Sequence, residues 1–498
     1  MSGARDTRWA ALYVLCGGML MIVLDVTVVN VALPSIQDQL GFSAAALAWV
    51  VNAYLIAFGG LLLLAGRLGD LLGRRRVFLA GIALFTGASL LCGLAAGQAE
   101  LIAARFAQGV GGALTSAVIL GMIVTMFPQP REQARAIGVY AFVASAGGSV
   151  GLLAGGVIAQ SIDWHWIFFV NVPIGAATLV LARRMLPAQP GAGLAAGADV
   201  AGGLLITAAL MTGVYAIVGP AARHGWGDGR TVLAGTVSLL LAAGFLVREA
   251  TAATPLMPLR ILRSREALVA NGVQVLSVAG MFGMFFLGAL YLRNVLGYDA
   301  LQIGLAFLPV TVTMGMLSIR YSERIVMRLG PRTAMLAGLP LIMGGLALFA
   351  RAGIHAAYLP AVLPSMILLG AGAGVCFPAL MALAMSGAAP QDAGLASGLV
   401  NTTAQVGGAL GLAVLATLAQ ARTHALAHGP AAAGSAAAQT GGYHLAFWVA
   451  TALAGCAALL ALLAPRRGAG ARAQAGEAAP AAAQAGPEGL EEAQAEAA

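Results

Sequence analysis

Charged residues are scarce in this chain. They make up only 9% of its 498 residues, whereas 60% of the residues are hydrophobic and the mean hydropathy is +0.89. A typical soluble domain carries about 25% charged residues. No soluble fold of this size has an interior large enough for so much apolar sequence, so the composition predicts a membrane protein with many spans.

Lysine is absent altogether, and all 27 basic residues are therefore arginines. They lie in small groups scattered along the chain rather than in one dense patch. Scattered arginines in an apolar chain are typical of loops that set membrane topology. We therefore expect no nucleic-acid partner, despite the basic pI of about 9.8.

Residue patterns for metal binding and for nucleotide hydrolysis are also missing. The four cysteines show no CxxC spacing and the six histidines show no HExxH spacing, so neither a disulfide framework nor a metal site is expected. The sequence contains no GKS or GKT phosphate loop. We predict that the chain is not an enzyme and holds no cofactor, and that any transport draws on an ion gradient or on the substrate's own gradient.

Long apolar runs, in contrast, are abundant. Fourteen segments reach about 20 mostly apolar residues, which is the length that crosses a bilayer as a helix. They lie at about 11–33, 46–65, 77–97, 101–126, 137–160, 165–185, 200–220, 231–248, 268–292, 302–320, 333–351, 359–386, 395–419 and 443–464. The predicted fold class is an all-α integral membrane protein with 14 transmembrane helices.

The arginines support this count of spans. With the N-terminus in the cytoplasm, five arginines fall in outer loops and Arg105 falls inside a span, which leaves the other 21 of the 27 on the inner side. The outer five are Arg223, Arg230, Arg293, Arg351 and Arg422. Inner loops of membrane proteins carry such an excess. The sequence thus predicts a multi-pass protein of the cell membrane with both termini cytoplasmic.

Two loops of the chain resemble each other. "GRLGDLLGRRR" (66–76) lies between the second and third predicted spans, and "ERIVMRLGPR" (323–332) lies between the tenth and eleventh. Parallel repeats of six helices build one large class of secondary transporters. We therefore predict a six-helix bundle (1–186), a linker with two additional transmembrane helices (187–255), a second six-helix bundle (256–465) and a disordered cytoplasmic tail (466–498).

Asp25 is the only acidic residue well inside any predicted span. Burying it ionised would cost about 2.5–3.5 kcal/mol on insertion scales. Such residues normally face the bundle interior or a water-filled cavity, where they relay protons. We predict that Asp25 exchanges a proton and a substrate, or couples the binding of the two. The alternative is that Asp25 only fixes its helix by hydrogen bonding to Thr27 or Asn30.

Arg105 is the only basic residue inside a predicted span. It lies near the start of the fourth span, so the alternative to a functional role is a side chain that reaches back to the nearer membrane surface. Gln108 lies one turn further on and is a plausible hydrogen-bonding neighbour.

Other side chains within the spans are candidates for lining a substrate cavity. They are Asn30, Asn52, Gln274, Met281, Phe285, Asn401 and Gln405. For the polar members the alternative is hydrogen bonding between helices. For Met281 and Phe285 the alternative is a lipid-facing or core position, although flexible methionine surface also suits a pliable apolar ligand.

Five segments of the chain carry a resemblance to a known family. They are "LDVTVVNVALP" (24–34), "GRLGDLLGRRR" (66–76), "RFAQGVGGA" (105–113), "WHWIFFVNVPIG" (164–175) and "GLASGLVNTTAQVGGALG" (394–411). With them the sequence resembles the major facilitator superfamily, and more closely its drug:proton antiporters with fourteen spans. The resemblance extends to about residue 465 and implies a major facilitator fold, with two six-helix bundles and two extra central helices.

The resemblance also implies roles for individual residues. Arg105 matches an arginine associated with proton transfer, within a fourth-span motif that includes Gln108 and Gly109. A gating role is implied for the cytoplasmic loop motif Gly66, Asp70, Gly73, Arg74 and Arg75. The fifth-span antiporter motif is matched by Gly147, Gly151, Gly155 and Gly156, but Leu152 stands where that motif has proline.

Together these features predict a proton-coupled exporter of hydrophobic or amphiphilic drugs, antibiotics or toxic metabolites that works by alternating access. Its expected partners are the small substrate, protons and the lipid bilayer, and the expected state is a monomer. Spans nine to fourteen contain no acid, so neutral or monocationic substrates are expected over dications. The alternatives are an uptake carrier or uniporter of a small metabolite, and a non-transporting membrane sensor on the same scaffold.

Overall fold

The computed structural model describes residues 2–188, 190–193, 197–257, 264–386, 393–427 and 435–465. Within these residues the regular structure is helical, and no strand occurs. The helices are α1 (Ser2–Leu40), α2 (Ala44–Leu72), α3 (Arg74–Gly93), α4 (Gln98–Met126), α5 (Pro130–Ser161), α6 (Trp166–Phe169), α7 (Asn171–Met185), α8 (Val200–Ala216), α9 (Ala222–His224), α10 (Gly229–Thr251), α11 (Arg265–Asn294), α12 (Ala300–Arg320), α13 (Ser322–Leu329), α14 (Pro331–Phe349), α15 (Leu363–Ser386), α16 (Ala393–Leu426) and α17 (Ala436–Ala461).

Thirteen membrane-spanning helices are recognised among the described residues by length and composition. The 32-residue helix α5 is a further candidate, because it packs between α1 and α12 among the other spans. Three of these spans are composite. Helices α6 and α7 form one, a π-helical turn at Ile217–Ala221 joins α8 to α9 in another, and a π-helical turn at Tyr358–Val362 precedes α15 in the third. The predicted all-α membrane fold is confirmed, and the helix count is consistent with fourteen spans. The predicted tail at 466–498 lies outside the described residues.

The helix ends follow local sequence. Ser43 caps α2 because its hydroxyl accepts the N–H of Ala46 at 3.1 Å. Asp299 and Gln302 form a reciprocal capping box at the start of α12. Gly73 and Gly330 separate α2 from α3 and α13 from α14, with φ of 95° and 84°, a backbone conformation that favours glycine.

The two resembling loops occupy matching places in the fold. Arg75, at the start of α3, donates to the carbonyl of Arg183 at the end of α7. Arg332, at the start of α14, donates to the carbonyl of Leu462 just beyond α17 at 2.9 Å. Arg75 and Arg332 each lie two positions after a positive-φ glycine, so the two loops repeat the same local arrangement. The exact domain boundaries stay a prediction.

The two six-span units meet at the end of the bundle that is predicted to face outward. Arg293 at the end of α11 pairs with Asp38 at the end of α1 at 3.8 Å. The side-chain carbonyl of Gln420 on α16 accepts the backbone N–H of Ala45 on α2 at 2.8 Å. Gly156 of α5 lies directly against the start of α12. The Gln420 and Gly156 contacts bring the two units close together at the predicted outer end, whereas the Arg293–Asp38 pair is exposed.

The helix pair formed by α8 and α10 lies beside this interface. Helix α8 packs closely on α2, since a Cβ at Gly60 would stand 3.2 Å from the Cα of Thr207. The π-helical turn that follows α8 reaches α16, where the hydroxyl of Thr417 donates to the carbonyl of Ile217 at 3.4 Å. Helix α10 packs chiefly against α8, and its leucines, such as Leu239 at 72% exposure, face outward.

The chain between α7 and α8 is attached to the loop that follows α2. The N–H of Ala192 donates to the carbonyl of Asp70 at 2.9 Å, and the N–H of Gly193 donates to that of Leu71 at 3.0 Å. Arg67 donates from Nε to the carbonyl of Gly197 at 3.1 Å. The described part of the predicted linker is thus bonded to the cytoplasmic loop motif.

Candidate functional site

A buried ion pair joins α1 to α4. The Nη1 group of Arg105 donates to Oδ2 of Asp25 at 2.5 Å, and both side chains are at most 1% exposed. A pair so far from solvent is stable only where geometry and additional hydrogen bonds offset the desolvation of both charges. The surroundings of the pair supply those bonds.

Three neutral polar side chains complete the surroundings of Asp25. Gln108 donates from Nε2 to Oδ1 of Asp25 at 2.7 Å, and the same amide nitrogen lies 2.8 Å from the hydroxyl of Ser89. Asn171 on α7 donates to Oδ1 of Asp25 at 3.2 Å. The aspartate is therefore held from α4 and α7 at once, while Ser89 extends the network to α3.

Arg105 is held equally firmly. Its Nε donates to the carbonyl of Val50 on α2 at 2.9 Å, and its Nη1 also lies 2.6 Å from Oε1 of Gln108. The guanidinium carbon stands 4.6 Å from the centre of the Tyr54 ring and 5.8 Å from that of Phe168. Aromatic faces stabilise a desolvated guanidinium. Contacts from α1, α2, α4 and α6 thus converge on this one cation.

The structure shows other contacts than those that the two structural alternatives named. Thr27 and Asn30 donate to carbonyls of their own helix, those of Val23 and Val26 among them, so neither is the described partner of Asp25. Arg105 does not reach the membrane surface, because its side chain is 1% exposed and points into the bundle. Asp25 and Arg105 are instead partners.

Sequence reasoning did not single out three members of this cluster. Asn171 lies inside the quoted segment 164–175, where its polarity in an apolar span was an available signal. Tyr54 and Ser89 carried no such signal, because isolated hydroxyls are common in membrane helices. Their proximity to Arg105 and Gln108 follows only from the packing of α2 and α3 on α4.

Gly109 explains how α2 comes so close to α4. A Cβ at this position would overlap the carbonyl of Tyr54 and stand 2.9 Å from the Cβ of Ala57. Small residues allow membrane helices to approach in this way. Gly109 therefore brings the Tyr54 ring and the Val50 carbonyl within reach of Arg105.

The cytoplasmic loop motif lies apart from the ion pair. Arg74 donates to Asp70 Oδ1 at 3.1 Å and to the carbonyl of Gly121 on α4 at 2.8 Å. Arg75 reaches the end of α7. A Cβ at Gly66 would meet nothing within 4 Å. The described bonds of Arg74 and Arg75 stay within the first six-span unit.

The fifth-span glycines face two different helices. Side chains at Gly147, Gly151 and Gly155 would each collide with α1, at Leu20, Thr27 and Val28 respectively. Gly156 instead faces α12. The chain continues through Leu152 as unbroken helix, because α5 carries no proline beyond its first turn.

The cavity candidates fall into distinct environments. Among the described residues, Asn52 has no hydrogen-bond partner for either amide atom although it is 0% exposed, and Oε1 of Gln274 and of Gln405 also lack partners. Met281 is buried, and Phe285 packs edge-on against Phe307 with ring centres 5.4 Å apart. Asn30 bonds its own helix.

Asn401 differs from the other candidates, because it is exposed on α16. Gly59 of α2 lies directly against the Cβ of Gln405 on α16. The buried amides of Asn52, Gln274 and Gln405 thus lie on α2, α11 and α16, which pack together as a chain of neighbouring helices.

Among the described residues, the matching place in the second unit holds an apolar side chain instead of the arginine. The close α3–α4 contact between Gly81 and Gly111 is repeated between Gly338 and Gly372 on α14 and α15. Arg105 lies six residues before Gly111. The equivalent position, six residues before Gly372, is occupied by the fully buried Met366. Among the described residues, no group of three or more histidine, cysteine, aspartate or glutamate side chains is arranged to hold a metal ion.

Comparison with known proteins identifies the family of the chain. The sequence profile described as "Major Facilitator Superfamily" matches residues 15–412. The puromycin resistance protein pur8 of Streptomyces alboniger is 38% identical over 463 residues, which cover 92% of each chain. The cephamycin export protein CmcT of Amycolatopsis lactamdurans is 39% identical over 418 residues, 83% of this chain and 85% of that protein.

A solved structure shows the same fold. The bacterial homologue of the human lysosomal transporter Spinster superposes with a TM-score of 0.64 at 15% identity, over 92% of this chain and 97% of that one. The chain belongs to the major facilitator superfamily. It is a multi-pass membrane protein of a transporter family and not an enzyme.

Proposed function

We propose that this protein exports small hydrophobic or amphiphilic drugs, antibiotics or toxic metabolites in exchange for protons, by alternating access of its two six-span units. The observation that carries the proposal is the buried ion pair of Asp25 and Arg105, which joins opposite charges of α1 and α4. The relatives named for puromycin resistance and cephamycin export support an antibiotic-like substrate and the outward direction.

Protonation of Asp25 is the proposed coupling step. With Asp25 ionised, the pair has no net charge and binds α1 to α4. A proton on the carboxylate removes the ion pair, while Arg105 keeps its bonds to the Val50 carbonyl and to Gln108. Because the cluster then carries one positive charge, α1 is held less tightly and is free to shift relative to α4.

Buried neutral amides support an uncharged or singly charged substrate. Asn52, Gln274 and Gln405 all carry amide atoms without partners among the described residues, and buried polar atoms gain most from a ligand that bonds them. Met281 and Phe285 add apolar surface on the same helix as Gln274. An amphiphile that pairs with amides at one end and packs on Met281 and Phe285 at the other fits this set.

The remaining parts of the proposal follow the predicted topology. Both termini lie in the cytoplasm, the protein works as a monomer in the lipid bilayer of the cell membrane, and transport is driven by the proton gradient without a cofactor. Among the described residues, the acidic side chains of the second unit all lie at or near helix ends, which supports a single coupling acid in the first unit.

Proteoliposomes with an imposed pH gradient test the proposal. We expect neutral and monocationic antibiotics, puromycin among them, to drive proton movement that a pH-sensitive dye records. Dicationic analogues are expected to drive less. Substrate flux that ignores the pH gradient would indicate a uniporter, and the absence of flux across a panel of neutral, cationic and anionic drugs would favour a sensor.

A further inference from the structure

Two carboxyl groups meet at the predicted cytoplasmic end of the α8–α10 pair, far along the chain from Asp25. Asp199 is the residue that caps α8, and Glu249 lies in the last turn of α10. Their side chains are buried, with residue exposures of 2% and 3%. Neither is used by the proposed transport cycle.

Each carboxyl group has one bonded oxygen and one free oxygen. Oδ1 of Asp199 accepts the N–H of Gly202 at 3.0 Å and Nε of Arg248 at 2.9 Å. Oε2 of Glu249 accepts the N–H of Met257 at 2.8 Å. Oδ2 of Asp199 and Oε1 of Glu249 are buried and have no hydrogen-bond partner among the described residues.

The two free oxygens lie beside the same small residue. A Cβ at Gly202 would stand 2.6 Å from Oδ2 of Asp199 and 3.1 Å from Oε1 of Glu249. Glycine at this position therefore leaves the carboxyl groups room to approach each other. Two ionised carboxylates so placed would repel each other strongly, whereas a single proton shared between them removes the repulsion.

In the part of the chain that the structure describes, Arg248 is the cation that pairs with one of the two acids. Arg248 pairs with Asp199, and its own side chain is 48% exposed. On α2, Arg67 lies nearby through its bond to Gly197, while Asp70 is paired with Arg74. Helix α16 carries no charged residue before Arg422 at its opposite end. Arg248 thus supplies one positive charge beside two carboxyl groups.

We propose that Asp199 and Glu249 form a proton-binding site that is separate from Asp25. Asp199 stays ionised against Arg248, and Glu249 carries the proton and donates it in a hydrogen bond from Oε1 to Oδ2 of Asp199. Glutamine at position 249 mimics this protonated form, since its amide donates to the same oxygen.

The site controls a contact between the two units. Glu249 holds the N–H of Met257, and Met257 packs in an apolar cluster with Ala267 of α11 and Leu399 of α16. Loss of the proton would force the two charges apart and loosen Met257. The α8–α10 pair thereby makes the packing of the second unit responsive to pH on its own side of the membrane.

The test compares the wild-type protein with Glu249→Gln in lipid nanodiscs without any substrate, so it does not depend on the proposed transport. A shared proton is bound in the folded state and lost on unfolding above the ordinary glutamate pKa of about 4.3. The wild-type melting temperature should therefore fall relative to Glu249→Gln as the pH rises from ~5 to ~8, by about 2 °C. The infrared band of a protonated carboxylic acid should be present in the wild type near neutral pH and diminished in Glu249→Gln.

Two glycine variants separate the site from general packing. Gly202→Ala places a methyl group beside both free oxygens and should reduce the pH-dependent difference. Gly235→Ala on α10, where a Cβ meets nothing within 4 Å, should leave it intact. Parallel melting profiles for wild type and Glu249→Gln would overturn the proposal. A second result would also overturn the proposal: sodium stabilises the wild-type protein at fixed pH, and Glu249→Gln abolishes this effect. That result would indicate that the site binds a metal cation instead of a proton.

Discussion

Arg105 and Asp25 lie 80 residues apart in the sequence, yet Nη1 of the one donates to Oδ2 of the other at 2.5 Å inside the first six-span unit. An exposed pair with this geometry would contribute about 0–1 kcal/mol. Here both partners are buried, so each charge depends on the other. Any change of charge at Asp25 therefore changes the electrostatic environment of Arg105 directly.

Asp25→Asn should abolish substrate-driven proton movement. Asparagine keeps the size of the side chain and still accepts from Gln108, but it carries no titrating group. Proton flux measured in proteoliposomes should fall to the level of protein-free vesicles. Asp38→Asn is the matched control on the same helix, because Asp38 is 64% exposed and its 3.8 Å pair is weak. Wild-type transport with an unchanged pH profile in Asp25→Asn would refute the role of this residue.

Arg105→Gln should destabilise the protein more than the double variant Asp25→Asn with Arg105→Gln. The single change leaves an uncompensated buried carboxylate, at a cost of about 3–5 kcal/mol. The double change leaves two neutral amides of similar size. Thermal unfolding in detergent would show partial recovery in the double variant. Additive losses would mean that the two charges act independently, contrary to the contact between them.

The sequence was sufficient to predict the helical membrane fold, because long apolar runs and the asymmetry of the arginines are properties of single segments. It also marked Asp25 and Arg105 one at a time, since a charge within an apolar span is conspicuous. Their pairing, and the addition of Asn171 and Ser89, depend on how four helices pack. The meeting of Asp199 with Glu249 was equally hidden, because each reads as an ordinary charge at a helix end.

Arg74→Ala should impair transport more than Arg76→Ala. Arg74 is bonded both to Asp70 and to the carbonyl of Gly121 on α4, whereas Arg76 is exposed. Loss of a charged hydrogen bond costs about 1.5–3 kcal/mol, enough to shift a conformational equilibrium more than tenfold. Initial transport rates, normalised to the amount of folded protein, compare the two variants. Equal transport rates in Arg74→Ala and Arg76→Ala would indicate that the loop serves only as a topology signal. Wild-type expression and transport in Asp70→Asn would indicate the same.

Ionised Asp163 should stabilise the fold near neutral pH, and this contribution should be lost in acid. This residue lies between α5 and α6, outside the spans. Burial raises its pKa, but hydrogen bonds from His165 and Gln39 outweigh burial and hold the pKa below its ordinary value. A carboxyl with a lowered pKa stabilises the fold above its unfolded pKa of about 3.9 and loses that contribution as the pH falls through the folded value. Asp163→Asn should therefore melt lower near neutral pH and show a smaller loss in acid, as thermal unfolding at several pH values would reveal.

Gly156→Ala should favour the state that is open at the predicted outer end. A Cβ at Gly156 would stand 2.8 Å from the carbonyl oxygen of Ala300 and 2.9 Å from the Cα of Leu301, and backbone atoms of a helix have little freedom to move aside. Overpacking of this kind costs about 1–3 kcal/mol. Because the clash exists only while α5 and α12 are in contact, the cost shifts the equilibrium between the two states by about 5- to 150-fold.

A disulfide between the same two helices measures that shift. Ser149 and Thr311 have hydroxyl oxygens 3.0 Å apart, so Ser149→Cys with Thr311→Cys should cross-link readily in the otherwise wild-type chain. Adding Gly156→Ala to the cysteine pair should lower the cross-linking rate, and Gly156→Ala should slow transport. Gly138→Ala on the same helix is the control and should change neither rate, because a Cβ there meets nothing within 4 Å. Unchanged cross-linking in Gly156→Ala would mean that α5 and α12 do not separate during the cycle, and would place the outer gate at α2 and α16 instead.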